Sequence, residues 1–277
     1  MEQDLYRNRD FIPDFDEIIA ETAARSRELA ARADIRPDVP YGPGSRERMD
    51  ILLPPRLAKG APLHVFIHGG YWRSGSKEDH WLVAAPVLAA GGIATTITYD
   101  LMPGTRLGAI VRQVRAAIRH LVAIAPDLGA DATRLTVSGH SAGAHLASYL
   151  AASGPEESVP PALPGLRGLL LVSGIYDLAD IPASFLKYEA QMTPAEASAW
   201  SPLTSRHLEG PRRIVMVGEM DTPPFHVQGQ QFASLLANND LDGEFRIGAG
   251  LNHLTIVLAL GDPQSPAGLC LSDLVGS

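Results

Sequence analysis

The densest chemistry in this chain of 277 residues lies at Gly139-His140-Ser141-Ala142-Gly143. Apolar residues from Leu135 to Ser138 lead into it as a strand, and Ala144 onward continues as a helix, so the serine stands at a strand-to-helix turn. Such an abrupt reversal forces its apex into strained backbone angles, and flanking glycines remove the side chains that would clash there. The turn lifts the Ser141 hydroxyl clear of the sheet, beside the amide-rich start of the next helix. A serine hydroxyl is a poor nucleophile at neutral pH until a base takes its proton, and histidine has the ordinary pKa suited to that task. Gly-x-Ser-x-Gly alone also fits an ordinary turn, so its surroundings decide.

Upstream, the strand Leu63 to Ile67 ends in His68-Gly69-Gly70-Tyr71-Trp72. Two adjacent glycines let the chain turn sharply, so that backbone N–H groups can face a developing negative oxygen. Gly70, Tyr71 and Ala142 are the expected donors. Downstream, His253 follows the last expected strand and precedes an apolar helix from Leu254 to Leu260, which makes it the preferred base over His207 and His226. For the acid, Asp221 follows the strand Ile214 to Gly218, with Asp177 after the preceding strand as its rival. If not the acid, Asp177 reads as a helix cap or a support for the segment after it. His68, His140 and His145 lack the i,i+4 pairing with a glutamate that zinc hydrolases use, so no metal is expected. No glycine-rich phosphate loop occurs, and no cofactor is expected.

These residues need a scaffold. Apolar runs at Met49 to Leu53, Leu63 to His68, Ile93 to Tyr99, Leu135 to Ser138, Gly168 to Ser173, Ile214 to Gly218 and Glu244 to Ile247 alternate with helical stretches. One such stretch places Ile110, Val114, Ala117, Ile118, Leu121 and Val122 on a single face. This rhythm predicts a mainly parallel sheet covered on both faces by helices, an α/β fold. Asp14 and Glu17 suggest a capping box for a helix carrying Phe15, Ile18, Ile19 and Thr22, packed over the sheet or the site entrance. Residues 36–48 read as a loop. Residues 178–208, with Phe185, Tyr188, Met192 and Trp200 and no clear strand, read as a small helical cap or a plain helical crossover.

Composition narrows the class. With 45% hydrophobic and 19% charged residues, the chain suits one large core, read as a single domain over 1–277 with a helical extension at 1–40 and a cap insertion at 178–208. A formal charge of −8 argues against a nucleic-acid partner. The lone Cys270 excludes an intrachain disulfide and a thiol-pair metal site. Without a basic start followed by an apolar stretch, and without a run of bilayer-spanning length, a cytoplasmic location is expected.

The segments His68-Gly69-Gly70-Tyr71-Trp72-Arg73-Ser74-Gly75-Ser76-Lys77 and Gly139-His140-Ser141-Ala142-Gly143-Ala144-His145-Leu146 together resemble the arylformamidase (kynurenine formamidase) group of α/β hydrolases. The likeness runs from about Tyr41 to the C-terminal region. Tyr71 and Trp72 replace the third glycine and its neighbour in the His-Gly-Gly-Gly loop of the hormone-sensitive-lipase pattern. The resemblance implies an α/β-hydrolase fold and cofactor-independent hydrolysis of N-formyl-L-kynurenine, or a related aryl formamide, by Ser141, Asp221 and His253 through a formyl-enzyme. Gly70, Tyr71 and Ala142 would hold the oxyanion. A formyl group needs almost no acyl pocket, whereas the aryl leaving group needs an apolar wall, for which Tyr71 and Trp72, with Tyr176 or Phe225, are the candidates. Arg73 and Lys77 lie near the loop and could meet a carboxylate. A carboxylesterase acting on small acyl or aryl esters uses the same machinery. A non-catalytic ligand-binding protein of this fold typically lacks one of the three residues present here. The expected partner is a small-molecule amide or ester, with no nucleic acid and no membrane; a homodimer is left open.

Overall fold

The computed structural model describes residues 3–155, 157–159 and 161–277. After a 3₁₀ turn at Asn8–Asp10 come α1 (Phe15–Ala30), β1 (Asp34–Pro40), β2 (Arg48–Leu53), β3 (Ala61–Ile67), α2 (Ala84–Ala89), β4 (Ile93–Ile97), α3 (Leu107–Ile124), β5 (Ala130–His140) and α4 (Ala142–Ser148). The second half contains β6 (Leu166–Val172), α5 (Pro194–Ala199), β7 (Arg212–Gly218), α6 (Pro223–Asn238), β8 (Gly243–Gly248), α7 (Thr255–Leu260) and α8 (Pro266–Gly276).

The strands form one sheet in the order β1-β2-β4-β3-β5-β6-β7-β8. β1 and β2 run antiparallel to their neighbours, and every pairing from β4 to β8 is parallel. Alternation along the strands feeds two cores. Leu169, Leu171, Val215 and Val217 join α3, α4 and α6 on one face; Leu170, Val172, Ile214 and Met216 join α2, α7 and α8 on the other. In α3 the inward row Leu107, Ile110, Val114, Ile118 and Leu121 is fully buried, as the helical spacing requires. A parallel sheet covered on both faces leaves its carboxyl-end loops as the place for chemistry.

Two local expectations are corrected. Residues 36–48 are not all loop, because β1 pairs with β2 through residues 34–40. This edge strand is mostly exposed and carries Pro37 and a register shift between Arg36 and Val39, so no apolar alternation marks it. The capping box at the start of α1 is also absent: Asp14, at φ −98° and ψ 33°, makes no side-chain cap. Its backbone lies outside the extended region that aims a capping side chain at the first helical amides. The helix itself forms where expected.

Candidate active site

β5 passes into α4 through Ser141, at φ 55° and ψ −119°, while the Ser141 N–H still donates to Val172 O at 2.8 Å. A non-glycine residue at positive φ is held only when its surroundings over-determine it. Here they do. A Cβ at Gly139 would lie 2.3 Å from the Gly143 carbonyl oxygen, and one at Gly143 would lie 2.0 Å from that of Ile67. The two glycines therefore let the elbow close on itself and press α4 against the end of β3.

The loop after β3 is strained as well, with Gly70, Tyr71 and Trp72 at φ 109°, 50° and 57°. Side chains pin it at each step. The Tyr71 hydroxyl donates to the Tyr6 carbonyl and accepts from Asn8 Nδ2 at 3.3 Å. Trp72 Nε1–H donates to His145 Nδ1 at 3.2 Å, leaving His145 Nε2–H to donate to Trp200 O at 2.8 Å. Burial pushes the His145 pKa down to about 4, which keeps it in the neutral form that both bonds require. The Tyr99 hydroxyl donates to His68 O at 2.9 Å, and the two rings stack at 4.5 Å. Among the described residues, the backbone N–H groups of Gly70, Tyr71 and Ala142 donate to no protein acceptor.

Two more loops complete the cluster. After β7, Asp221 Oδ2 accepts from Gly218 N at 2.9 Å and from the Ser173 hydroxyl at 2.6 Å, while Oδ1 lies 2.8 Å from His253 Nδ1. A carboxylate only accepts, so Nδ1–H is the donor of this bond, which leaves Nε2 as the ring nitrogen not engaged by Asp221. His253 is packed against Phe225 at 4.4 Å and His140 at 4.7 Å, and its carbonyl accepts from His140 Nε2–H at 2.8 Å. His140 is buried and its pKa is lowered well below the ordinary value by desolvation and by His253, so it is a neutral donor. No hydrogen bond joins Ser141 Oγ to His253 Nε2, yet both residues line one cavity of about 580 Å³. Resting sites of this kind are often loose until substrate enters.

Asp177 lies apart from this cluster: its carboxylate accepts from Ala179 N at 3.0 Å within its own turn. Of the four aromatic wall candidates, Tyr71 lines the cavity, and the other three are placed differently from the expectation. Trp72 and Tyr176 are wholly buried, Tyr176 stacking on Phe232 at 4.3 Å, and Phe225 lies beneath the His253 ring; none lines the cavity. Trp72, at positive φ, sets its indole edge-on to His145 at 5.0 Å, a partner 73 residues along the chain that local sequence does not encode. With Tyr71, the apolar wall is built by Phe15 and Ile19 of α1, Phe185, and Leu254 and Val257 near His253. Lys77 is also displaced from the site, its side chain 3% exposed among Asp38, Asp50 and Glu78. Although burial opposes its charge, these carboxylates raise its pKa to about 12.

Sequence reasoning missed Ser173 and the N-terminal strap. Ser173, at φ 46° directly after β6, had no motif to announce it. The strap ties together three parts of the site: Phe185 N donates to Asp4 Oδ2 at 2.5 Å, Thr222 Oγ1 to Leu5 O at 2.6 Å, and Tyr71 to Tyr6. Residues 178–208 hold short 3₁₀ turns and α5, with Phe185 set edge-on to Tyr71 at 5.3 Å. Among the described residues no group of three His, Cys, Asp or Glu is placed to hold a metal ion, and no helix is long and apolar enough to cross a membrane.

Sheet order and loop chemistry together define a serine hydrolase of the α/β-hydrolase class. A crystal structure from Silicibacter sp. tm1040 superposes on the whole of both chains with a TM-score of 0.82 at 25% identity. The BD-FAE family model matches residues 49–165. Kynurenine formamidase of Danio rerio is 30% identical over 232 residues, covering 81% of this chain and 76% of that one. Esterase LipQ of Mycobacterium tuberculosis is 27% identical over 261 residues, covering 82% of this chain and 62% of its own. The chain belongs to the kynurenine formamidase family of α/β hydrolases.

Proposed function

We propose that this enzyme hydrolyses an aryl formamide, with N-formyl-L-kynurenine as the leading substrate, using Ser141 as nucleophile, His253 as base and Asp221 as the acid that orients it. Ser141 Oγ attacks the formyl carbon as His253 Nε2 takes its proton, and Asp221 stabilises the imidazolium through Nδ1–H. The amides of Gly70, Tyr71 and Ala142 hold the tetrahedral oxyanion. The carbon–nitrogen bond then breaks as His253 returns the proton to the departing arylamine. Water, deprotonated by His253, attacks the formyl ester, and formate leaves as Ser141 regains its proton.

The observation that carries this reading is a serine hydroxyl facing the same cavity as an imidazole whose other nitrogen is already committed to a carboxylate at 2.8 Å. The formamidase relatives support the substrate, as does a cavity that places apolar walls beyond the serine. The likeness to esterase LipQ favours small esters as the second reading. The lone cysteine supports a cytoplasmic setting, and the substrate needs no macromolecular partner. Side-by-side kcat/KM values on N-formyl-L-kynurenine, formanilide, a short aryl ester and an aliphatic ester test the proposal. The formamides are expected to lead, and an enzyme that turns over only esters overturns it.

A further inference from the structure

The cavity contains more charge than the reaction uses. Arg7, Arg9, Asp16, Arg73, Asp79 and Glu189 line it together with Ser141. Most of these charges are already engaged: Arg9 holds Asp16 through two bonds of 2.5 and 2.8 Å, Arg7 lies 3.7 Å from Asp10, and Asp79 accepts from the Ser76 hydroxyl at 2.9 Å.

Arg73 and Glu189 differ from them. Arg73 N–H donates to Gly70 O at 3.1 Å, so the turn that presents the oxyanion amides also sets the root of this side chain. Its Nε lies 2.7 Å from Glu189 Oε2, yet that buried Nε makes no aligned hydrogen bond. Among the described residues, neither the Nη groups of Arg73 nor Oε1 of Glu189 has a hydrogen-bond partner. The guanidinium lies over Phe185 at 6.0 Å, and Phe185 in turn is edge-on to Tyr71 at 5.3 Å. An aromatic surface therefore leads from the oxyanion loop to a cation and an anion side by side. With side chains 32% and 47% exposed, such a pair contributes little to stability, but its spare donors and acceptor match a ligand that presents a carboxylate and an ammonium on one carbon.

We propose that Arg73 and Glu189 form the subsite for the amino-acid end of the substrate, Arg73 taking the α-carboxylate and Glu189 the α-ammonium. The proposal rests on the formamidase reading above and names what selects the leaving group. The planar guanidinium receives the carboxylate bidentately, the ammonium replaces one partner of Glu189, and the aryl ketone lies along Phe185.

The test compares wild type, Arg73→Gln and Glu189→Gln on N-formyl-L-kynurenine, its analogue lacking the α-amino group, and formanilide, which has neither charge. Each single change is expected to lower the kcat/KM ratio of N-formyl-L-kynurenine to formanilide about tenfold, about 1.4 kcal/mol, through KM rather than kcat. Glu189→Gln is expected to spare the deamino analogue, which Arg73→Gln still weakens. Ratios unchanged within twofold in both variants overturn the subsite. A second readout is L-kynurenine as competitive inhibitor of 4-nitrophenyl acetate hydrolysis, with its inhibition constant raised about tenfold in Arg73→Gln. An enzyme that cleaves the acetate but no formamide defeats the functional reading, while the inhibition constants still decide whether this pair binds an amino acid.

Discussion

The inner and outer halves of the cavity are built on opposite principles. At the inner end, Ser141, Asp221 and His253 are 2%, 8% and 3% exposed, and the surrounding side chains are fixed by strained turns and short hydrogen bonds. At the outer end, Arg7, Arg9, Arg73, Asp16 and Glu189 are long, partly solvated and held in ion pairs. Reaction chemistry needs groups held within a fraction of an ångström, which buried backbone geometry supplies. On the proposed reading, leaving-group selection tolerates looser side chains and draws them from segments far apart in the sequence. Inner substitutions should therefore act on kcat, and outer ones on KM.

The largest effect expected is at Ser141. Ser141→Ala should lower kcat by about 10⁴-fold or more while the melting temperature stays within a few degrees, since only a hydroxyl is removed. A residual rate within tenfold of wild type would break the contrast. Asp221→Asn should follow, costing about 10³- to 10⁴-fold in kcat, whereas Asp177→Asn stays within threefold because its carboxylate serves only its own turn. The reverse ranking would reassign the acid. Ser173→Ala should lower kcat about tenfold by removing the 2.6 Å donor to Asp221, with KM unchanged. A change in KM alone would move Ser173 to the outer group.

Acid sharpens the same contrast through stability. Burial lowers His64 and His68 to about 3 and His145 and His207 to about 4, from an ordinary 6.5. Between those values the unfolded chain binds protons that the folded chain refuses. The stability contributed by these neutral imidazoles is full above pH 6.5 and is lost as pH falls toward 4. Melting temperature should drop steadily over that range, and a flat profile down to pH 4.5 would contradict it.

Much of the inner end was legible in the sequence, for a physical reason. Gly139 and Gly143 are required by contacts of 2.3 and 2.0 Å, so the motif is a direct imprint of close packing. Chain order singled out Asp221 and His253, which the structure brings to 2.8 Å of each other, because parallel strands deliver their loops to one edge of the sheet in sequence. The outer end was less legible. Which way Trp72 points depends on its positive φ and where Tyr176 packs depends on Phe232 far along the chain, whereas α1, expected over the sheet or the site entrance, does bring Phe15 and Ile19 to the cavity. β1 escaped notice because an exposed edge strand has no core face to pattern it.

The central claim is that His253 and Asp221 activate the Ser141 oxygen. Intact-mass and peptide analysis after treatment with a fluorophosphonate tests it directly. The account predicts one adduct, on the peptide carrying Ser141, absent in Ser141→Ala and formed far more slowly in Asp221→Asn. An adduct on another residue, or none in well-folded protein, would contradict it.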